Sequence, residues 1–286
     1  MPFETGRAAV GGRSLIAVLS GKGGSGASVV TANLAALVAA EGRRPVVVVD
    51  LAGDAGDISA LLNATPSSGW PATSPPGDVA LLSSLAVGAA GVRVMTRLPV
   101  DAASVTTAAR DVRTLFNAMR VLFDVVIVDV PRDPRPETLP VLQEANATVI
   151  VAAMSAPAAR GARRLLGWLR SEATLKRSPF IVLNRNEANN DLTRVDVEAV
   201  IDKPSSLQLP YDPMVVAASI NSGEPFVLHH GDAQVSRRIR DLAAMLGLVS
   251  PEPAEAEVVP TVETTGRASP RPRTWRRPLR TLSRRS

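Results

Sequence analysis

Nine consecutive residues, Ser20-Gly21-Lys22-Gly23-Gly24-Ser25-Gly26-Ala27-Ser28, constrain this chain more than any other stretch. A short apolar run, Leu15–Leu19, precedes them, and a helical pattern, Val29–Ala40, follows, with Val30, Leu34, Leu37 and Val38 on one face. A glycine-rich turn between a strand and a helix is the setting of a phosphate loop. The glycines let the backbone curl until successive N–H groups point inward, and the helix N-terminus adds the positive end of its dipole. Ser28 sits where a hydroxyl would ligate Mg²⁺. The pattern G-x-x-x-x-G-K-[ST] is met at Gly21, Gly26 and Ser28 and fails at Ala27, where lysine is expected. The expected phosphate-binding residues are therefore Gly21, Lys22, Gly23, Gly24, Ser25, Gly26, Ala27 and Ser28.

Strand-like and helix-like segments alternate along the rest of the chain, which predicts an α/β fold with a mostly parallel sheet and helices on both faces. Val46–Val49 is a run of valines ending in Asp50, and Val125–Val128 is a second β-branched run ending in Asp129; such runs suit strands buried on both faces. Further strands are predicted at Val92–Met95, Thr148–Ala152, Phe180–Leu183 and Leu207–Leu209. Helices are predicted at Thr106–Phe123, 157–171, 193–201, 213–221 and 233–247, and a loop at 64–78. Apolar residues make up 45% of the chain but aromatics only 3%, so the core has to be built from Val, Leu, Ile and Ala. Cysteine is absent, which excludes disulfides and Cys-ligated zinc or iron–sulfur clusters. No stretch has the length of a spanning helix and the N-terminus has no apolar signal core, so a cytoplasmic location is expected.

Three parts are predicted: a short extension at 1–13, a nucleotide-binding domain at 14–249 and a disordered tail at 250–286. The net charge of +5 is concentrated at the end, where residues 251–286 hold eight Arg and four Glu. The basicity therefore belongs to the tail and does not mark the body as a nucleic-acid binder.

Lys22, near the start of the loop, produces K-G-G-x-G-x-[ST] and resembles the deviant phosphate loop of the MinD/ParA family of P-loop ATPases. The resemblance implies ATP and Mg²⁺ as cofactors, a homodimer, and a catalytic role for Lys22 reaching across the interface to the partner's nucleotide. Phe123–Asp129 resembles that family's Walker B strand, which implies that Asp129 joins Ser28 at the metal. Asn184-Arg185 resembles the family's adenine-contacting pair, and Leu209-Pro210-Tyr211-Asp212-Pro213 its adenine-side loop, which implies nucleotide contacts from Asn184, Arg185, Pro210 and Asp212. The loop ending G-G-x-G-[AS]-S, together with Val92–Pro99, Phe123–Pro131 and Asn221–Pro225, looks like the CpaE/TadZ subgroup, which positions pilus and secretion machinery. With about 13 residues ahead of the first strand, the receiver-like domain of many CpaE proteins is not expected. The resemblance covers about residues 14–248.

The catalytic pattern is incomplete. Where the family has D-x-D after its second strand, the chain reads Asp50-Leu51-Ala52, with Asp54 and Asp57 as nearby carboxylates. Where the family has D-[TC]-x-x-G, it reads Asp129-Val130-Pro131-Arg132-Asp133. Phosphoryl transfer depends on positioning and charge stabilisation, so these losses predict slow hydrolysis or none. Two functions follow: an ATP-dependent dimeric spatial regulator that recruits a protein of positioning, pilus, secretion or division machinery, or a non-catalytic scaffold of the same fold. A metabolic P-loop enzyme is a third class, but no second-substrate constellation supports it.

Other features have plainer readings. His229-His230 reads as a surface turn, because adjacent histidines do not converge on one metal. Trp70 reads as a loop packing anchor, Trp168 as part of the buried face of its helix, and Arg160, Arg163, Arg164 and Arg170 as that helix's solvated face. In the tail, Trp275, Leu279 and Leu282 fall on one helical face among Arg276, Arg277, Arg280, Arg284 and Arg285. Such a basic amphipathic segment predicts reversible attraction to an anionic membrane surface, or else a solubilising tail; nucleic-acid contact is a weaker third reading.

Overall fold

The computed structural model describes residues 12–42, 44–51, 57–65, 78–96, 109–132, 138–173, 175–186 and 191–250. All of them lie in one unit, Met1–Pro251; Glu252–Ser286 forms a separate unit that falls outside the described residues, as do Trp70, Ala52 and Asp54.

Eight strands form one sheet: β1 (Ser14–Ser20), β2 (Val46–Asp50), β3 (Ala86–Val87), β4 (Arg93–Thr96), β5 (Val125–Asp129), β6 (Ala147–Ala153), β7 (Phe180–Asn186) and β8 (Leu207–Pro210). Their spatial order is β3-β4-β2-β5-β1-β6-β7-β8. Every pairing is parallel except β3 with β4. The strands alternate between two cores, as their period of two requires. Ile16, Val18, Val46, Val48, Val125 and Ile127 face one core, while Leu15, Ala17, Leu19, Val47, Val49, Val126 and Val128 face the other. Each such Val, Leu or Ile side chain contributes about 1.5–3 kcal/mol when fully buried, an upper figure because unfolded chains are already partly compact.

The first core is covered by α1 (Ala27–Gly42), α2 (Ile58–Leu61), α9 (Phe226–His229) and α10 (Gln234–Met245). The second is covered by α4 (Ala109–Leu122), α5 (Thr138–Glu144), α6 (Ala156–Glu172) and α7 (Arg194–Ile201). Remaining helices are α3 (Asp78–Ser83) and α8 (Pro213–Ser222). Local chemistry sets several of these boundaries. Thr193 and Asp196 form a reciprocal capping box at the start of α7, and Asp212 caps α8 by accepting from the Val215 N–H, with Pro213 in the first turn.

Packing adds to two of the expectations, and the four residues expected on one face of α1, Val30, Leu34, Leu37 and Val38, are all buried. α1 buries far more than one face: Thr31, Ala32, Asn33, Ala35 and Ala36 are buried as well. The sheet covers one side and α2, α9 and α10 cover others, the situation of a helix that is apolar all round. Asn33 is accommodated there because its Nδ2 donates to the Val29 carbonyl at 2.9 Å and its Oδ1 accepts from the Val227 N–H at 3.2 Å. Trp168 is only partly buried against the second core, whereas Arg160, Arg163, Arg164 and Arg170 are exposed as expected. The short elements α2, α3, β3, α5 and α9 were not anticipated, because they span too few residues to show a period.

Candidate nucleotide site

The carboxyl ends of β1, β2 and β5 lie side by side at the centre of the sheet. Register pairs Val18 with Asp129 and Asp50 with Asp129. Beyond the strands, the Leu51 N–H donates to the Asp129 carbonyl at 3.0 Å and the Val130 N–H to the Val18 carbonyl at 2.9 Å. Those bonds hold the start of each connecting segment beside the loop that follows β1, where open α/β sheets place ligands.

The loop is shaped by turn bonds and by close packing. The Ser25 N–H and hydroxyl both donate to the Lys22 carbonyl, at 3.3 and 2.8 Å. A side chain at Gly21 would collide with the backbone of Gly161 in α6, and one at Gly161 would collide with Gly21. Gly26 has φ +95° and lies against the Asn184 amide, so a Cβ is excluded there twice over. The first bond of α1 runs from the Val30 N–H to the Gly26 carbonyl at 3.0 Å. The N–H groups of Ala27, Ser28 and Val29 precede that bond and are the helix's available donors for an anion.

Ser28 and Asp129 are brought together: the Ser28 hydroxyl donates to Asp129 Oδ2 at 2.6 Å. Asp129 is 3% exposed and its carboxyl is pushed up to about 7. Burial is the largest cause; the Ser28 hydrogen bond pulls the other way, and the neighbouring Asp50 and Asp57 carboxylates raise it further. Asp57, at the start of α2, thus stands close enough to act electrically on Asp129.

The residues expected beside the base converge as well. Asn184 ends the regular part of β7; its Nδ2 donates to the Ser25 carbonyl at 2.9 Å and its Oδ1 accepts from the Arg185 N–H at 2.9 Å. Arg185 takes a left-handed φ of 61°, which turns the chain there. Together with Gly26, Pro210 and Asp212 these two residues line a cavity of about 290 Å³. Its apolar walls include Leu209, from the segment expected beside the adenine, and Val29, Val30, Val216, Phe226 and Ile239, which the sequence showed only as ordinary helix and core positions. Gly161 was also missed; an isolated glycine inside a helical pattern was its only signal.

Lys22 is exposed at the loop's outer side, with Nζ 3.5 Å from the Gly23 carbonyl. Ala27 is buried and offers no charge. His229 and His230 are exposed, and His229 lies 3.4 Å from Glu224. Among the described residues no group of three or more His, Cys, Asp and Glu could hold a metal ion, and no helix is long and apolar enough to cross a membrane.

A curled loop at a helix N-terminus, a hydroxyl–carboxylate pair at its inner edge and an apolar cavity opening from its Gly26 side fit a magnesium nucleotide. A hard cation needs few protein oxygens when phosphate and water supply the rest, and a positive ion would relieve the burial cost now borne by Asp129. The fold and site together define a P-loop nucleotide-binding domain. Residues 16–226 match the family model of the CobQ/CobB/MinD/ParA nucleotide binding domain, and the chain belongs to that family. It is similar to the septum site-determining protein MinD of Synechocystis, 27% identical over 219 residues, or 75% of this chain and 82% of that relative. In fold it is similar to a ParA family ATPase from Chlorobium tepidum, with a TM-score of 0.72, 24% identity, and coverage of 81% of this chain and 98% of that one. The MinC:MinD cell division complex of Aquifex aeolicus has a TM-score of 0.69, 21% identity and coverage of 84% and 97%.

Proposed function

We propose that this protein is an ATP- and Mg²⁺-binding positioning factor of the MinD/ParA type, nearest the CpaE/TadZ-like subgroup, acting as an ATP-dependent homodimer with slow or absent hydrolysis. The observation that carries the reading is the continuity of the site. The anion-binding turn, the Ser28–Asp129 pair and the cavity containing Asn184, Arg185, Pro210 and Asp212 adjoin one another at the carboxyl end of the sheet.

In this reading the backbone of Gly21–Ala27 and the first turn of α1 bind the phosphates. Ser28 and Asp129 would hold the metal, Ser28 through its hydroxyl and Asp129 through its carboxylate. Bound Mg²⁺ supplies positive charge against the phosphate oxygens. The cavity excludes water from the base, and Asn184 and Asp212 offer its polar contacts. Lys22, exposed at the loop's rim, is free of the packed core and able to reach a second subunit.

Ala27 and Ala52 carry the expectation of little turnover. A charged contact to phosphate contributes about 1.5–3 kcal/mol, and Ala27 lacks it. That same loss favours the alternative reading, a pseudo-ATPase scaffold that recruits partners through the fold alone. The complex of an Aquifex relative with MinC supports a protein partner in either case; peripheral attachment to an anionic membrane through residues 267–286 belongs to the same proposal.

Calorimetry of ATP binding with and without Mg²⁺, alongside phosphate release, tests it. Mg²⁺-dependent binding with slow or no phosphate release is the expected result. No binding at millimolar ATP would leave only the scaffold.

A further inference from the structure

α6 runs from the phosphate loop, where Gly161 meets Gly21, to the amino end of β7. A second cavity, of about 480 Å³, lies there between the last turns of α6, the segment leading into β7 and the residues after α7. Its volume is that of a small-ligand pocket, and it shares no residue with the nucleotide cavity. Leu166, Leu169, Leu175 and Pro179 supply apolar walls, and Arg170 and Lys203 stand among them. The position of Lys203 is held. Asp202 ends α7 with a left-handed φ of 64°, the Lys203 N–H donates to the Glu198 carbonyl at 3.4 Å, and Pro204 restricts the Lys203 backbone. The Lys203 ammonium donates to the Ser178 hydroxyl at 2.7 Å. That hydroxyl, having accepted, keeps its own hydrogen to donate. Burial, and after it the Arg170 charge, pushes Lys203 below its ordinary value. Asp202 and Arg177 also line the cavity, yet the carboxylate does not offset those two effects. The carbonyl ends of α6 and α7 attract cations. That attraction accounts for a cation at each helix end, but it does not call for a hollow with leucine walls beside them.

We propose that this cavity binds a small organic anion with an apolar body, a phosphate or carboxylate head carried on a short alkyl chain or ring. The head meets Lys203, Arg170 and the Ser178 hydroxyl, and the body lies against Leu166, Leu169 and Leu175. An anion between the two cations offsets their mutual repulsion, and the contact is stronger beside a partly desolvated ammonium than in open solvent. A bare inorganic ion would leave the leucine walls in water, whereas an alkyl chain covers them. Nucleic acid fits less well, because its backbone offers charge with no apolar chain to enter the cavity.

Calorimetry on the full-length protein compares hexyl phosphate, butyl phosphate and inorganic phosphate, with and without MgATP, for wild type, Lys203→Met, Arg170→Ala and Arg163→Ala. Hexyl phosphate should bind about tenfold more tightly than butyl phosphate, since each buried methylene contributes about two- to fourfold, and inorganic phosphate should bind weakest. Lys203→Met keeps the apolar stem and should weaken hexyl phosphate about tenfold. Arg170→Ala removes an exposed charge and should weaken it about two- to fivefold, with the fold intact. Arg163, an exposed cation of the same helix, lies outside the cavity, and its substitution should change nothing. MgATP should leave the ligand in place; an alkyl phosphate held by the phosphate loop instead would be displaced by MgATP and would ignore Lys203→Met. Equal affinity for hexyl phosphate and inorganic phosphate, affinity indifferent to Lys203→Met and Arg170→Ala, or no binding at millimolar ligand overturns the assignment. A short DNA duplex that binds wild type and is released by both substitutions, with hexyl phosphate inert, overturns it in favour of a nucleic-acid contact.

Discussion

Ser28 and Asp129 are 101 residues apart in sequence, yet the Ser28 hydroxyl donates to the Asp129 carboxylate at 2.6 Å. The bond joins the start of α1 to the end of β5 at the point where the two central strands stop. Burial of Asp129, which outweighs the pull of that bond, fixes the sign of a pH effect. Asp129 has a folded-state value of about 7 against an ordinary 3.8. Between those values the folded protein holds more protons than the unfolded chain, so this residue's contribution to stability is fully present below about pH 4 and is lost as pH rises through about 7.

Asp129→Asn should therefore flatten the pH dependence. At about pH 8 the variant should be the more stable protein, by a margin on the order of 4 kcal/mol at most, and the gap should close near pH 4. Denaturant melts across that range measure it. Wild-type and variant profiles that run parallel from pH 4 to pH 8 would show that the Asp129 carboxyl titrates in its ordinary range and is ionised at neutral pH.

Glycines in one helix should respond in opposite directions to alanine. Gly161 meets the Gly21 backbone, whereas nothing lies within 4 Å of a Cβ at Gly167. Gly167→Ala should stabilise by about 0.5–1 kcal/mol through helix propensity alone. Gly161→Ala should destabilise by about 1–3 kcal/mol because backbone must shift, and should weaken nucleotide binding by moving the loop. Thermal melts of both variants check the contrast.

Restoring a lysine should strengthen nucleotide binding. Ala27→Lys is expected to tighten ATP by about ten- to a hundredfold, the equivalent of one charged contact. Unchanged affinity in calorimetry counts against the placement of the phosphates.

Lys22 should matter to assembly more than to monomer stability, since its side chain is exposed. With a slowly hydrolysed ATP analogue, light scattering should show mass doubling for wild type and none for Lys22→Ala. Monomers under both conditions would favour the scaffold.

The tail prediction concerns residues outside those the structure describes. Full-length protein should co-sediment with anionic liposomes at low salt, with attraction of about 1 kcal/mol per basic residue near the surface. Deleting 267–286 or raising salt should abolish it. A full-length protein that ignores such liposomes at low salt has no membrane-binding tail.

By itself the sequence determined the α/β class, the position of the glycine-rich loop and most of the long elements. Those features are local: a run of valines, a helical period and a turn residue each report on their own few neighbours. Ser28 and Asp129 were nameable for the same reason, each lying at the end of a recognisable segment. Tertiary structure alone decided the rest. The order of the strands sets β5 beside β1 and thereby joins Ser28 to Asp129. Packing of α6 over the loop turns Gly161 from a helix interruption into a requirement, and packing on several sides makes α1 buried nearly all round. The raised value of Asp129 and the meeting of Arg170 with Lys203 depend on burial and on charges from separate segments. Dielectric environment and distance are properties of the folded arrangement, and no stretch of sequence carries them.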